Sequence, residues 1–150
     1  IMSAFAIVLA TTACAGNSGE NKKSNEPTKK ENKMEVIALN KADFLKKVYN
    51  YEANPNDWKF EGKRPAIVDF YATWCGPCKM MAPAVEKLAE EYEGRAVIGK
   101  LDVEESMDIA GRYGVMNVPT LILFKDGRAV ERKVGLQSAS DLRKLLDSVL

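Results

Sequence analysis

Residues 66–92 read AIVDFYATWCGPCKMMAPAVEKLAEEY, and the changes of pattern inside this stretch decide the fold. Pro65 to Tyr71 is nearly all apolar, with one acid, Asp69, in its middle. Such a run suits a central strand covered on both faces. A short turn leads to Cys75-Gly76-Pro77-Cys78. A helix is expected from about Cys75 to Tyr92, stopped by Gly94 and kinked by Pro83.

Upstream, Val36 to Leu39 reads as a short strand, and Asn40 can cap a helix whose Phe44, Leu45 and Val48 share one face. Asn50 to Arg64, with Pro55, Gly62 and three aromatics, is a long, partly packed loop. Downstream come a strand at Ala96 to Asp102 and a short helix at Ser106 to Tyr113. Strands at Thr120 to Phe124 and Ala129 to Val134 are joined across Asp126-Gly127, a strong hairpin signal. Ser138 to Leu150 closes the chain as a helix, with Leu142, Leu145, Leu146 and Val149 facing the core. The order β-α-β-α-β-α-β-β-α predicts an α/β fold with a mixed central sheet and helices on both faces.

Composition narrows the chemistry. The 150 residues are 46% apolar and 29% charged, as in a soluble one-domain globular protein. A net charge of +1 makes no case for binding nucleic acid. The chain has no histidine, which removes Cys-His and Ser-His catalysis and most zinc sites. Structural zinc would need a second pair of ligands, so no metal is expected. A disulfide closing a loop of two residues would also add little stability.

A redox pair has positive physical support. Cys75 would stand at a helix N-terminus, where unpaired N–H groups and the helix dipole favour a thiolate. The thiolate is the attacking species. Pro77 is tolerated in a first turn. Cys78 is one turn further on, within reach of Cys75, and is expected to be more buried and less acidic. Cys75 therefore attacks and Cys78 resolves. Asp69 is expected to be buried, with a raised pKa, able to accept the Cys78 proton through water. Lys100 is either its charge partner or a plain surface lysine. Pro119 is either a strand-start proline or the cis residue of a tight turn beside the pair.

The front of the chain reads differently. Ile1 to Ala13 is an uncharged apolar run, too short to span a bilayer, which takes about 18 residues or more. It reads as the remnant of an export signal. Cys14 follows small residues, as in a lipoprotein cleavage box, while Ala13-Cys14-Ala15 also fits an ordinary A-x-A cleavage site. On the first reading Cys14 carries a lipid; on the second it leaves with the signal. Residues 14–34 contain almost no large apolar side chain and read as a disordered tether. Some 20 such residues would reach roughly 25 Å as a flexible coil. The folded domain is expected at 35–150.

The blocks Val68-Asp69-Phe70-Tyr71-Ala72, Trp74-Cys75-Gly76-Pro77-Cys78-Lys79, Ala82-Pro83, Lys100-Leu101-Asp102, Tyr113-Gly114-Val115, Val118-Pro119-Thr120, Phe124-Lys125-Asp126-Gly127 and Val134-Gly135 together resemble the thioredoxin family. The resemblance covers about Glu35 to Leu150. It implies the thioredoxin fold and a protein-disulfide reductase that needs no cofactor beyond the Cys75–Cys78 pair. It implies Cys75 as nucleophile, Cys78 as resolving cysteine, Asp69 as the buried acid and Pro119 as the cis proline. Trp74, Val118, Pro119 and Gly135 would line a shallow groove in which a substrate segment lies like an added strand. Gly76 and Pro77 would tune the potential, and this central pair resembles that of the reducing members. The implied partners are disulfide-containing protein substrates and an upstream dithiol electron donor, with the membrane reached only through a lipid on Cys14 and the protein a monomer. The export signal places it in the periplasm, where an oxidase or isomerase is the alternative. A redox-silent binding module is the other. Tyr71 and Asn117 stand where tryptophan and glycine are common in the family, and the Asn50–Arg64 loop is longer than in a minimal member.

Overall fold

The computed structural model describes residues 36–53 and 64–150. The expected signal remnant, Cys14, the tether and most of the Asn50–Arg64 loop lie outside the described residues.

Among the described residues the elements follow in the order β1 (Ile37–Ala38), α1 (Lys41–Lys47), β2 (Ala66–Tyr71), α2 (Gly76–Glu91), β3 (Val97–Asp102), α3 (Met107–Arg112), β4 (Thr120–Lys125), β5 (Arg128–Val134) and α4 (Ala139–Asp147). The five strands form one sheet in the order β1-β3-β2-β4-β5. β3 runs parallel to β1 and β2, β4 is antiparallel to β2, and β5 is antiparallel to β4. This is the thioredoxin fold, with β2 at its centre.

Alternation along β2 explains how its apolar run serves two cores. Ile67 joins Ile98, Leu121 and Leu123 on one face, where Met81, Val85 and Leu88 of α2 and Leu142, Leu145 and Leu146 of α4 cover them. Val68 and Phe70 join Leu101, Ile122 and Phe124 on the other, under Phe44 of α1 and Ile109 of α3. Asp69 shares the parity of Ile67 and so faces the α2 side. Local signals shape the ends of elements. The Asp43 N–H donates to Asn40 Oδ1 at 2.8 Å and starts α1. Asp126 and Gly127 both have positive φ, 50° and 75°, as a two-residue type I′ hairpin requires. α2 runs without interruption through Pro83.

Candidate active site

β2 ends at Tyr71 and the chain turns at once, the Cys75 N–H donating to the Ala72 carbonyl at 3.1 Å. Cys75 is the N-cap of α2, with extended backbone (φ −77°, ψ 108°). A capping residue normally offers a side-chain oxygen to the first-turn amides. Here the cap is sulfur: the Cys78 N–H donates to Cys75 Sγ at 3.2 Å. Pro77 occupies the first turn, where its missing N–H removes no helical bond. Cys75 and Cys78 form a disulfide, with Cα atoms 5.3 Å apart.

The expected difference in burial is absent. Cys75 is 3% exposed and Cys78 5%. Both pack with Ala72, and Tyr71, Val103 and Val118 close around them. Val103 follows β3 and Val118 precedes β4, so the ends of neighbouring strands help to bury the pair. What distinguishes the two cysteines is place on the helix, because Cys75 alone caps it.

Asp69 is 5% exposed, and its Oδ1 has no hydrogen-bond partner among the described residues. Burial pushes its pKa up to about 7, while the charge of Lys100 opposes the rise. Lys100 is paired with Asp69 across β2 and β3. Its side chain is exposed, with the ammonium 5.9 Å from the Tyr71 ring centroid. It thus combines both readings, a surface lysine whose charge is still felt by the acid.

The Val118–Pro119 peptide is cis. The Thr120 hydroxyl donates to the Asn117 carbonyl at 2.7 Å, and the Gly135 N–H donates to the Pro119 carbonyl at 2.8 Å. Gly135 has φ +85°, a conformation that side chains disfavour. Trp74 is 67% exposed, and Gly76 and Pro77 are open to solvent. The structure therefore gathers Cys75, Cys78 and Val118 in one cluster, carries Trp74 beside it, and ties Pro119 to Gly135. Among the described residues no group of His, Cys, Asp or Glu could hold a metal ion.

Sequence reasoning missed Ala72, Val103 and Glu104. Trp74 Nε1 donates to Glu104 Oε1 at 3.0 Å, across 30 positions of chain. The available signal was topological: turns that follow adjacent parallel strands emerge side by side.

Comparison with known proteins places this geometry. The thioredoxin family model matches residues 35–148. Thioredoxin of Staphylococcus aureus is 56% identical over 117 residues, which is 78% of this chain and 100% of the relative. The same figures hold for the thioredoxin of a second strain. Among solved structures, a mutant thioredoxin from Halobacterium salinarum matches with a TM-score of 0.59 and 40% identity, covering 76% of this chain and 88% of the other. With its cysteine pair at the head of α2, the chain belongs to the thioredoxin family of thiol–disulfide oxidoreductases.

Proposed function

We propose that the chain reduces protein disulfides outside the cytoplasm, with Cys75 as nucleophile. The observation that carries this reading is the capping of α2 by Cys75, whose sulfur accepts the Cys78 N–H. That amide and the helix dipole stabilise negative charge on Cys75 more than on Cys78. In the reduced protein the Cys75 thiolate attacks one sulfur of the substrate disulfide. A Cys75–substrate bond forms, the substrate S–S bond breaks, and the other substrate sulfur leaves and takes a proton. Cys78 then gives its proton to Asp69 through water and attacks Cys75. The Cys75–Cys78 bond forms and the substrate leaves as a dithiol, having gained two electrons. An upstream dithiol donor returns the electrons by the same exchange in reverse.

An acid with a pKa of about 7 suits the second step, because it can both accept and release a proton near neutrality. Trp74, Val118, Pro119 and Gly135 form the groove, in which a substrate segment lies beside the cis turn. The reducing direction rests on Gly76-Pro77 between the cysteines and on a sequence without histidine, which the oxidising members of the family more often carry at the centre of the motif. Export rests on the apolar run ahead of Cys14, and membrane attachment on a lipid at Cys14 itself. The protein acts as a monomer.

The test is reduction of insulin by purified protein with dithiothreitol as electron source. Wild type accelerates precipitation of the insulin B chain and Cys75→Ser does not; equal rates would remove the enzymatic reading. An oxidase or isomerase remains the second reading, because about 30 mV in a two-electron couple is only ~1.4 kcal/mol and an oxidising compartment can supply that. The reduction potential of the pair, set beside its redox state in living cells, separates the two.

A further inference from the structure

At the end of the sheet away from the redox pair, an open cleft of about 640 Å³ is lined by Tyr49, Arg112, Tyr113, Arg128 and Ala129. Its place follows from the register. β4 runs antiparallel to β2, with Thr120 opposite Phe70 and Phe124 opposite Ala66. The β4–β5 hairpin, and Arg128 just after it, therefore lie at the Ala66 end, while Cys75 and Cys78 follow the Tyr71 end. The six residues of β2 put roughly 20 Å between the two ends. Tyr49 follows α1, and Arg112 and Tyr113 close α3, the two helices that cover this face of the sheet.

The cleft brings positive charge and aromatic surface together. Arg112 and Arg128 are both exposed and come from different elements, α3 and β5. The Arg112 guanidinium lies over the Tyr51 ring, 4.4 Å from its centroid. That contact orients the group without cancelling its charge. Tyr113 is held by the rings of Phe44 and Phe124, at 5.7 and 5.1 Å. Its hydroxyl is buried and has no hydrogen-bond partner among the described residues. Burial pushes its pKa up to about 12, against the opposing charge of Arg112, so the phenol stays protonated. The whole chain carries a net charge of only +1, so this pairing of arginines is local and not part of a general positive excess.

We propose that this cleft binds a small organic phosphate with an aromatic body: Arg112 and Arg128 take the phosphate, and Tyr49 and Tyr113 form the bed for the ring. Guanidinium N–H groups match phosphate oxygens two at a time. Two arginines fit the charge of a phosphate monoester, about −1.5 to −2 at neutral pH, better than that of a single carboxylate. The volume calls for more than a bare ion. A water takes roughly 30 Å³, so inorganic phosphate would leave most of the cleft to solvent. The site shares no residue with the redox pair or its groove, and it stands whether or not the chain reduces disulfides.

The experiment follows the amide resonances of the isotope-labelled protein during titration with phenyl phosphate, phenol or inorganic phosphate. Phenyl phosphate is expected to saturate a single site, moving the amides of Tyr49, Arg112, Tyr113 and Ala129 and leaving those of Cys75 and Cys78 in place. Phenol and inorganic phosphate each bind at least about tenfold more weakly. Arg112→Gln and Arg128→Gln each weaken phenyl phosphate about tenfold, or ~1.4 kcal/mol, the loss of one charge-assisted contact. Arg95→Gln leaves the affinity unchanged, although it also removes an arginine held over a tyrosine ring, 5.1 Å from the centroid of Tyr92. Each variant's own spectrum shows whether it is folded, and both cleft arginines are exposed, so neither substitution opens the core. Shifts that never saturate, or that centre on Cys75, overturn the proposal. So do phenol or inorganic phosphate binding as tightly as phenyl phosphate, wild-type affinity in either cleft variant, or equal weakening by Arg95→Gln.

Discussion

Replacing Asp69 by Asn removes an ionisable group from the centre of the sheet while keeping its shape. Asp69 is 5% exposed, its Oδ1 has no hydrogen-bond partner among the described residues, and burial raises its pKa from the ordinary 3.8 to about 7. The folded state therefore holds a proton that the unfolded chain has already released between about pH 4 and pH 7. The favourable contribution of that protonated acid is complete below about pH 4, falls as pH rises, and is gone once pH passes the folded pKa. Each tenfold change in the proton equilibrium is about 1.4 kcal/mol, so the loss across the window is about 4 kcal/mol. Asn carries no charge and shows no such loss. Relative to wild type, oxidised Asp69→Asn should gain on the order of 4 kcal/mol between pH 4 and pH 8, on top of a pH-independent offset for the buried amide. Urea unfolding of both oxidised proteins at those two pH values gives the difference directly. The same pH slope in the two proteins would refute burial as the source of the shift. The same substitution should slow insulin reduction at neutral pH and flatten its pH profile, if Asp69 takes the Cys78 proton as proposed.

Other outcomes follow from other parts of the molecule. Cys78→Ser should leave Cys75 bonded to its substrates, so non-reducing gels of cell extracts should show mixed-disulfide adducts that vanish with dithiothreitol; no adducts would count against the assigned roles. Cys14→Ser should move the protein from the membrane fraction to the soluble one, and continued membrane association would end the lipid-anchor proposal. Phe44→Ala should cost roughly 3–5 kcal/mol in urea unfolding, because its ring is fully buried and lies 5.7 Å from the rings of both Tyr113 and Phe124. A loss under about 1 kcal/mol would mean that the core under α1 collapses into the space.

Local signals carried most of the fold. The Asp126-Gly127 hairpin was legible because its backbone demands two residues that tolerate positive φ. β2 was legible because a strand covered on both faces needs apolar residues at both parities, and the same logic marked Asp69 as buried. The order of strands was not written in any local pattern, since it depends on which edges the helices cover. The equal burial of the cysteines was hidden for that reason: Val103 and Val118 reach them only through the pairing of β2 with β3 and β4. The bond from Trp74 to Glu104 has the same origin. Nothing about an exposed glutamate in a turn distinguishes it until the register of two parallel strands is known.

β5 carries a consequence for crowded conditions. It is an edge strand with exposed residues along nearly its whole length, and four of its seven residues, Arg128, Glu131, Arg132 and Lys133, are charged. The register slips where Leu123 faces Glu131 but Phe124 faces Ala129, leaving Val130 as an extra residue that bends the edge. Arg132 is also drawn back onto the chain, donating to the carbonyls of Tyr113 and Gly114. Another strand adding here would meet a bent ladder and would have to desolvate that row of charge. Copies packed at high density on one surface would therefore collide without zipping together, leaving each disulfide-exchange centre free to meet its own substrate.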